Sequence, residues 1–600
     1  MPVPSRRAVL FGTSFLLALV TAGLTAAVLS GAPRTPLDWV LGVLFALVMA
    51  WEGLVAVQVS LGFASWWRGP AGLSDLERRA IAIEPVATGR SRTAIVVPIY
   101  DEDVAAVFAG IAVMRRSLAR LGPTDDLDIH VLSDSRDPRT IAAEERAAAG
   151  AALAAGPALL YRHRPDNAGR KAGNLLEFLE RTRGEYDFMV VLDADSVMAG
   201  TAIRKLIRLM EENERIGLIQ TISYAASRST LFARTQQFAV KLHAHLSLKG
   251  MAWWQGADGL YYGHNAIIRC APFLEHARLP VLPGRPPLGG EILCHDVVEA
   301  ALLRRAGWEV RVLPDLAGTW EEMPTNVVDL LGRERRWCQG NLQHLRVFPM
   351  PGLTDGSRIH IAMGIGGYLL GPLWWAFVLL GAIRVLADPG ADRLGVLAYG
   401  ATEPGPAGAA LLAFSLAILV LPRLLNVLRS LLGTRERREA GGAARLLAST
   451  VAEQIFSSLL MPLLSLVTQR FVLQTFAGRV VPWESQSRAD RDVGWREAVV
   501  VLRTNLVVGL ALLAAAVAGG GWYALWMTPM ILGLLLGPAL VVWSSRLGPG
   551  EATRRLGLFL TGDETEPAPE LVELSALWRA AREPHARPDP VALPDPRPSV

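Results

Sequence analysis

The chain has 600 residues, 51% of them hydrophobic and 19% charged, which is too long for one ordinary domain and too apolar for a wholly soluble protein. Its 60 Lys and Arg against 56 Asp and Glu leave a net charge of +4, so the charge balance makes no case for nucleic acid as a partner. Three cysteines, Cys270, Cys294 and Cys338, lack the paired spacing of a zinc site or a disulfide framework and read as reduced, buried thiols.

The apolar excess is concentrated in runs. Residues 8–32 and 38–66 can each cross a hydrocarbon core of ~30 Å, which takes about 20 helical residues. Arg6 and Arg7 precede the first run, but it exceeds the ~7 to 15 residues of a signal-peptide core and a second run follows at once, so it reads as an anchor. Residues 1–84 thus carry two transmembrane helices, and the polar segment 85–350 lies on the side of Arg6, Arg7 and Arg68, the cytoplasm by the positive-inside rule.

Within 85–350, the runs 93–98 (TAIVVP), 127–133, 158–163, 187–193 and 216–221 predict buried strands, and 103–121, 138–155, 171–183 and 200–214 predict the helices between them. This alternation predicts a Rossmann-like α/β domain, its parallel sheet covered on both faces and its ligands at the carboxyl ends of the strands. Residues 351–547 then form a membrane bundle with spans at 359–386, 406–432, 499–519 and 522–545. The stretch 449–477 is apolar but holds Glu453, Gln454, Gln469 and Arg470, and a single crossing would leave Arg479, Arg488, Arg491 and Arg496 outside. It therefore reads as a helix or helix pair in the cytoplasmic interface, followed at 478–498 by a candidate gating loop. The Pro-rich tail, 548–600, is expected to be cytoplasmic and largely disordered.

The chemistry gathers at the predicted strand ends. Asp193-Ala194-Asp195 follows the apolar run FMVVL directly. Three other Asp-x-Asp triplets occur, at 101/103, 126/128 and 490/492, but this one emerges from a buried strand, where paired carboxylates need a cation to compensate them. Oxygen ligands beside a diphosphate suit Mg2+ or Mn2+. Tyr100 and Glu102 close the first strand and Asp134 the second, at the same edge of the sheet. A turn rich in Gly, Asn and cations, 164–174, carries Lys171 into a helix start, where charge and backbone amides can meet phosphate. Asp296 opens an amphipathic helix; it is either a helix cap or the general base of an inverting transfer. Arg333, Arg336 and Trp337 set cations beside an indole that can stack on a sugar. Residues 251–265, dense in aromatics and ending in His264 and Asn265, either line an acceptor groove or dock the domain on the membrane.

The order of these motifs resembles processive glycosyltransferase family two, which includes cellulose and hyaluronan synthases. Arg333 and His295 depart from the Gln and Glu of those enzymes. Together with RKAGN, GHNAIIR, the run 276–308, RRWCQGN and the segment 483–497, they resemble the glucans biosynthesis glucosyltransferase H family. The resemblance implies a GT-A type domain inserted between transmembrane helices of a bacterial inner-membrane protein. It implies transfer from UDP-glucose onto a growing linear β-1,2-glucan, the backbone of osmoregulated periplasmic glucans, with the spans as a candidate export route. Acyl carrier protein and periplasmic glucan-processing proteins are the partners it suggests, besides the lipid bilayer. Carried over, Tyr100, Glu102, Asp134, Lys171, Asp193 and Arg336 bind donor, Asp193 and Asp195 hold metal, Asp296 is the base, and Trp337, His264 and Asn265 bind acceptor. Another family-two polysaccharide synthase, or a catalytically silent UDP-sugar sensor, is the rival reading.

Overall fold

The computed structural model describes all residues except 1, 31–34, 88, 153–154, 227, 388–405, 481–489, 520 and 583–600. Two long helices, Val3–Ser30 and Pro36–Trp67, precede the α/β domain. Its strands are β1 (Thr93–Ile99), β2 (Leu127–Ser133), β3 (Ala158–His163), β4 (Phe188–Val191), β5 (Val197–Met198), β6 (Ile216–Thr221), β7 (Tyr224–Ala225), β8 (Ala266–Arg269), β9 (Glu309–Leu313) and β10 (Thr319–Glu321). Seven form one sheet in the order β3-β2-β1-β4-β8-β6-β9, and β5-β10-β7 form a second.

The five predicted strands are β1, β2, β3, β4 and β6, and their pairings β1–β2, β2–β3 and β1–β4 are parallel as expected, but β3 is the edge strand and is partly exposed rather than buried. Along β1, Ile95, Val97 and Ile99 pack into one apolar cluster and Ala94 and Val96 into another, so both faces are covered. The expectation of a wholly parallel sheet does not hold: β8 lies antiparallel between β4 and β6. An antiparallel strand brings its start to the edge where its neighbours end, so residues 263–265, just before β8, reach the mouth of β4.

Six described helices are long and apolar enough to cross a membrane: Val3–Ser30, Pro36–Trp67, Asp355–Ala387, Pro406–Leu432, Ala443–Phe476 and Trp495–Gly519. A pair bent by 56°, Tyr523–Leu535 with Gly537–Ser544, adds a further candidate. Residues 449–476 lie in one continuous helix rather than a pair. That helix shares apolar clusters with the α/β domain near its start, middle and end, Leu446 with Phe238, Leu463 with Phe232 and Leu331, and Val472 with Cys338 and Leu342, and its Glu453 lies 3.4 Å from His243. Residues 481–489 of the candidate gating loop lie outside the described residues.

The tail departs from the expected disorder as far as residue 582. Leu547–Arg555, Gly562–Thr565 and Pro569–Arg582 are helices. Leu571 and Leu574 enter the main core cluster of the domain, with Leu577 and Trp578 packed at its edge. This apolar stripe needs a partner surface, and the helix Val104–Ala119 supplies it, with Ser117 donating to Glu570 and Arg116 paired with Glu573.

Candidate active site

The carboxyl ends of β1, β2 and β4, the start of β8 and the end of β10 open on one cavity of about 660 Å³. Tyr100, Glu102, Asp134, Lys171, Asp193, Asp195, His264, Asp296, Arg336 and Trp337 all line it. Of the four Asp-x-Asp triplets, only Asp193/Asp195 does so among the described residues. The others do structural work where partners are seen: Asp101 accepts from the amides of Arg136 and Asp137, Asp103 caps the helix at Val104, and Asp126, Asp128 and Asp490 pair with Arg204, Arg92 and Arg228.

One half of the cavity is braced by strand ends. Arg164 forms a buried pair with Asp134 and also donates to the carbonyls of Ala168 and Arg170 at 3.1 and 2.9 Å, which fixes the turn leading to Lys171. Gly169 enables that turn with φ +65. Lys171 Nζ pairs with Asp193 and donates to the carbonyl of Gly263 at 2.8 Å. Ser196 Oγ accepts from the Asp193 amide at 3.1 Å, orienting the triplet. Among the described residues no group of three or more His, Cys, Asp or Glu could hold a metal ion. The two carboxylates, Asp193 and Asp195, could serve as oxygen ligands of a hard divalent ion.

The other half is built on helices. Cys294 precedes the helix His295–Arg305 without a side-chain capping bond, and Asp296 lies in the first turn. The Asp296 carboxylate makes no hydrogen bond or ion pair among the described residues, which removes the capping explanation. Gly263 closes over it: with φ +87, a side chain added there would start 3.6 Å from Asp296 Oδ2. The helix Val327–Val347 locks onto the turn before Asp296. His344 Nε2 lies 2.9 Å from the Cys294 carbonyl, and Gln343 bonds to the Leu293 amide and the Glu291 carbonyl. Gly340 allows this approach, since a Cβ there would stand 2.8 Å from the Cys294 nitrogen. On the same helix, the Arg333 guanidinium lies 4.5 Å from the centroid of Trp337.

Between the halves stands His264, with Nε2 3.3 Å from Glu321 and Nδ1 3.1 Å from Asn265 Oδ1. Burial disfavours the imidazolium, yet Glu321 and Asp193 outweigh burial and raise its pKa. Burial, reinforced by Asp195 and Asp193, pushes the Glu321 carboxyl up, with His264 and Arg333 opposing.

Asn265 corrects its expected acceptor role. It is fully buried, lies outside the cavity lining, and donates to the Trp320 carbonyl at 3.4 Å, so it orients His264 instead. Glu321 is among the lining residues that the sequence reading did not single out, whereas Tyr262 falls in the aromatic run 251–265. Glu321 ends β10, and the strand-end rule that picked out Asp193 would have found it in TWEEMP had a three-residue strand been visible. Tyr262 carries a buried hydroxyl without a partner in the described structure, and burial together with Asp296 raises its pKa.

The model for glycosyl transferase family 2 matches residues 94–276, and that for glycosyl transferase family group 2 matches 188–387. Over 590 residues the chain is 38% identical to a glucans biosynthesis glucosyltransferase H of Xylella fastidiosa (strain 9a5c), covering 96% of this chain and 91% of that one. A protein of the same description from Rhodopseudomonas palustris (strain TIE-1) is 38% identical over 93% of this chain and 77% of its own length. Among solved structures, the mannosyltransferase PcManGT from Pyrobaculum calidifontis, in complex with GDP-Man and Mn2+, aligns over 65% of this chain and 99% of its own. At 17% identity and a TM-score of 0.39, that likeness says nothing of donor or metal here. The α/β domain is thus a GT-A type glycosyltransferase domain set between candidate membrane helices. The chain belongs to the glucans biosynthesis glucosyltransferase H family.

Proposed function

We propose that the protein is an inner-membrane, processive, inverting glucosyltransferase that uses UDP-glucose to extend a linear β-1,2-glucan, the backbone of osmoregulated periplasmic glucans. The observation that carries this reading is the single cavity that joins Lys171, Asp193 and Asp195 to Asp296, Arg336 and Trp337. The sugar and linkage follow the relatives' name and the family resemblance; the geometry supports the reaction type.

Asp296, unpaired and beside Gly263, takes the proton of the acceptor hydroxyl. The acceptor oxygen then forms its bond to the anomeric carbon from the face opposite the diphosphate, the bond from that carbon to the phosphate oxygen breaks, and UDP leaves with the electron pair. Lys171 and Arg336 hold the departing charge, so no carboxylic acid is needed to protonate it, unlike in a glycoside hydrolase. Asp193 and Asp195 would hold Mg2+ or Mn2+, which supplies neutralisation of the diphosphate. Trp337, with Arg333 over its ring, offers a stacking face to the acceptor sugar, and the unpartnered Tyr262 hydroxyl offers it a hydrogen bond.

The catalytic domain is read as cytoplasmic. Arg7, Asp490, Arg546 and the tail all bond to that domain, so the membrane helices leave it and return to it in pairs. The helix Ala443–Phe476, in contact with the domain at its start, middle and end, lies along the membrane surface in this reading. Two pairs, Asp355–Ala387 with Pro406–Leu432 and Trp495–Gly519 with the bent 523–544 pair, then cross and are the candidate export route.

The test is linkage analysis of the polymer made by purified protein from UDP-glucose, with and without EDTA. A 1,2-linked glucan lost on chelation is expected. A 1,4-linked product would refute the linkage, and EDTA-insensitive synthesis would refute the metal.

A further inference from the structure

We propose that Arg228 is a positioning residue of the active site, and that residues 556–582 act through it as a strap fixing the β10 wall of the cavity. This rests on reading the cavity as the site of transfer.

Arg228 is buried and joins three parts of the chain that are remote in sequence. Its guanidinium pairs with Glu322, which lines the cavity beside Glu321. It lies 3.6 Å from Asp490, on the segment that leads into the membrane helix Trp495–Gly519. It also stands 5.7 Å from the ring of Trp578 in the last described helix. A second contact is independent of the first: Trp320, the residue before Glu321, donates from Nε1 to Asp563 at 3.3 Å. The strap is held away from the cavity by Glu564 on Arg234, Glu570 on Ser117 and Glu573 on Arg116, and none of its residues lines the cavity.

Burying a guanidinium among carboxylates is a poor way to gain stability, because desolvation offsets the attraction, but the planar fork sets its partners' orientation. Here the oriented partner is the cavity wall. Displacement of β10 would move Glu321 directly. It would also move His264, because Asn265 hangs from the Trp320 carbonyl and holds the His264 ring. The strap thereby sets the geometry of the site without touching substrate.

Trp578→Ala and Asp563→Ala test this in the full-length protein, with Trp578→Phe as the conservative comparison. Turnover of UDP-glucose, KM, UDP affinity and hydrogen exchange over 317–326 would be measured together. Both variants should exchange faster across Thr319–Pro324 and lose turnover roughly tenfold, within the ~10²-fold that a misplaced site costs, while KM and UDP affinity stay within about twofold. Trp578→Phe should restore both. Unchanged turnover and exchange would overturn the proposal, as would a fall in UDP affinity in step with turnover, which would mean general loosening of the domain. If the wild type does not turn over UDP-glucose, the transfer reading fails on its own. Exchange then decides the strap: faster exchange at 319–324 supports it and unchanged exchange overturns it.

Discussion

The two halves of the cavity are held together by different means. Lys171, Asp193 and Asp134 sit on strand ends and the turn braced by Arg164, so their positions follow from the sheet. Asp296 and Trp337 sit on two helices whose alignment depends on the close approach of Gly340 to Cys294. One of these helices packs through Cys338 and Leu342 onto Val472 of Ala443–Phe476. The half that suits a nucleotide is therefore rigid and internal to the domain, whereas the half that suits an acceptor is coupled to the membrane bundle.

Damage to the helical half should appear in turnover, and damage to the strand half in nucleotide affinity. The largest effect is expected from Asp296→Asn, which should lower glucose transfer by roughly 10²–10⁴-fold with UDP binding by calorimetry unchanged. A parallel loss of UDP affinity would erase the distinction between the halves. Next comes Gly340→Ala. Its new methyl would press on the Cys294 backbone and shift Trp337 relative to Asp296, costing about 10²-fold in turnover, again without loss of UDP affinity. Lys171→Ala should act in the other direction. Loss of a hydrogen bond to a charged group is worth ~1.5–3 kcal/mol, so UDP should bind about 10- to 100-fold more weakly in the same titration.

The same contrast governs what could be read before the structure. β1, β2, β4 and β6 are buried runs, whereas β3 is a partly exposed edge strand, and Asp193 could be singled out from four similar triplets because it leaves a buried run. β5, β7, β8 and β10 have two to four residues each and carry no periodicity to detect. Glu321 was missed for that reason. Asn265 was misplaced because the direction of its turn depends on the antiparallel setting of β8. The tail looked disordered since Leu571, Leu574 and Trp578 form an apolar stripe whose partner lies more than 450 positions away in the chain, as the Ser117–Glu570 bond shows.

The smallest effect belongs to His295, which joins the two halves electrostatically. Its ring lies 2.8 Å from Glu299 on the next helical turn, with Asp296 and Lys171 also acting on it. Burial opposes the imidazolium, but Glu299 prevails and holds the pKa above the ordinary 6.5. A folded-state pKa raised above the unfolded one stabilises the native state fully below 6.5, and that contribution is lost as pH rises through the raised value. The melting temperature of the wild type should therefore fall across that interval, while His295→Gln should show a flatter profile. If the two profiles run parallel, the His295–Glu299 pair does not stabilise the turn before Asp296. The rigidity of the acceptor half would then rest on Gly340, Gln343 and His344 alone, and its coupling to the membrane helices would be correspondingly tighter.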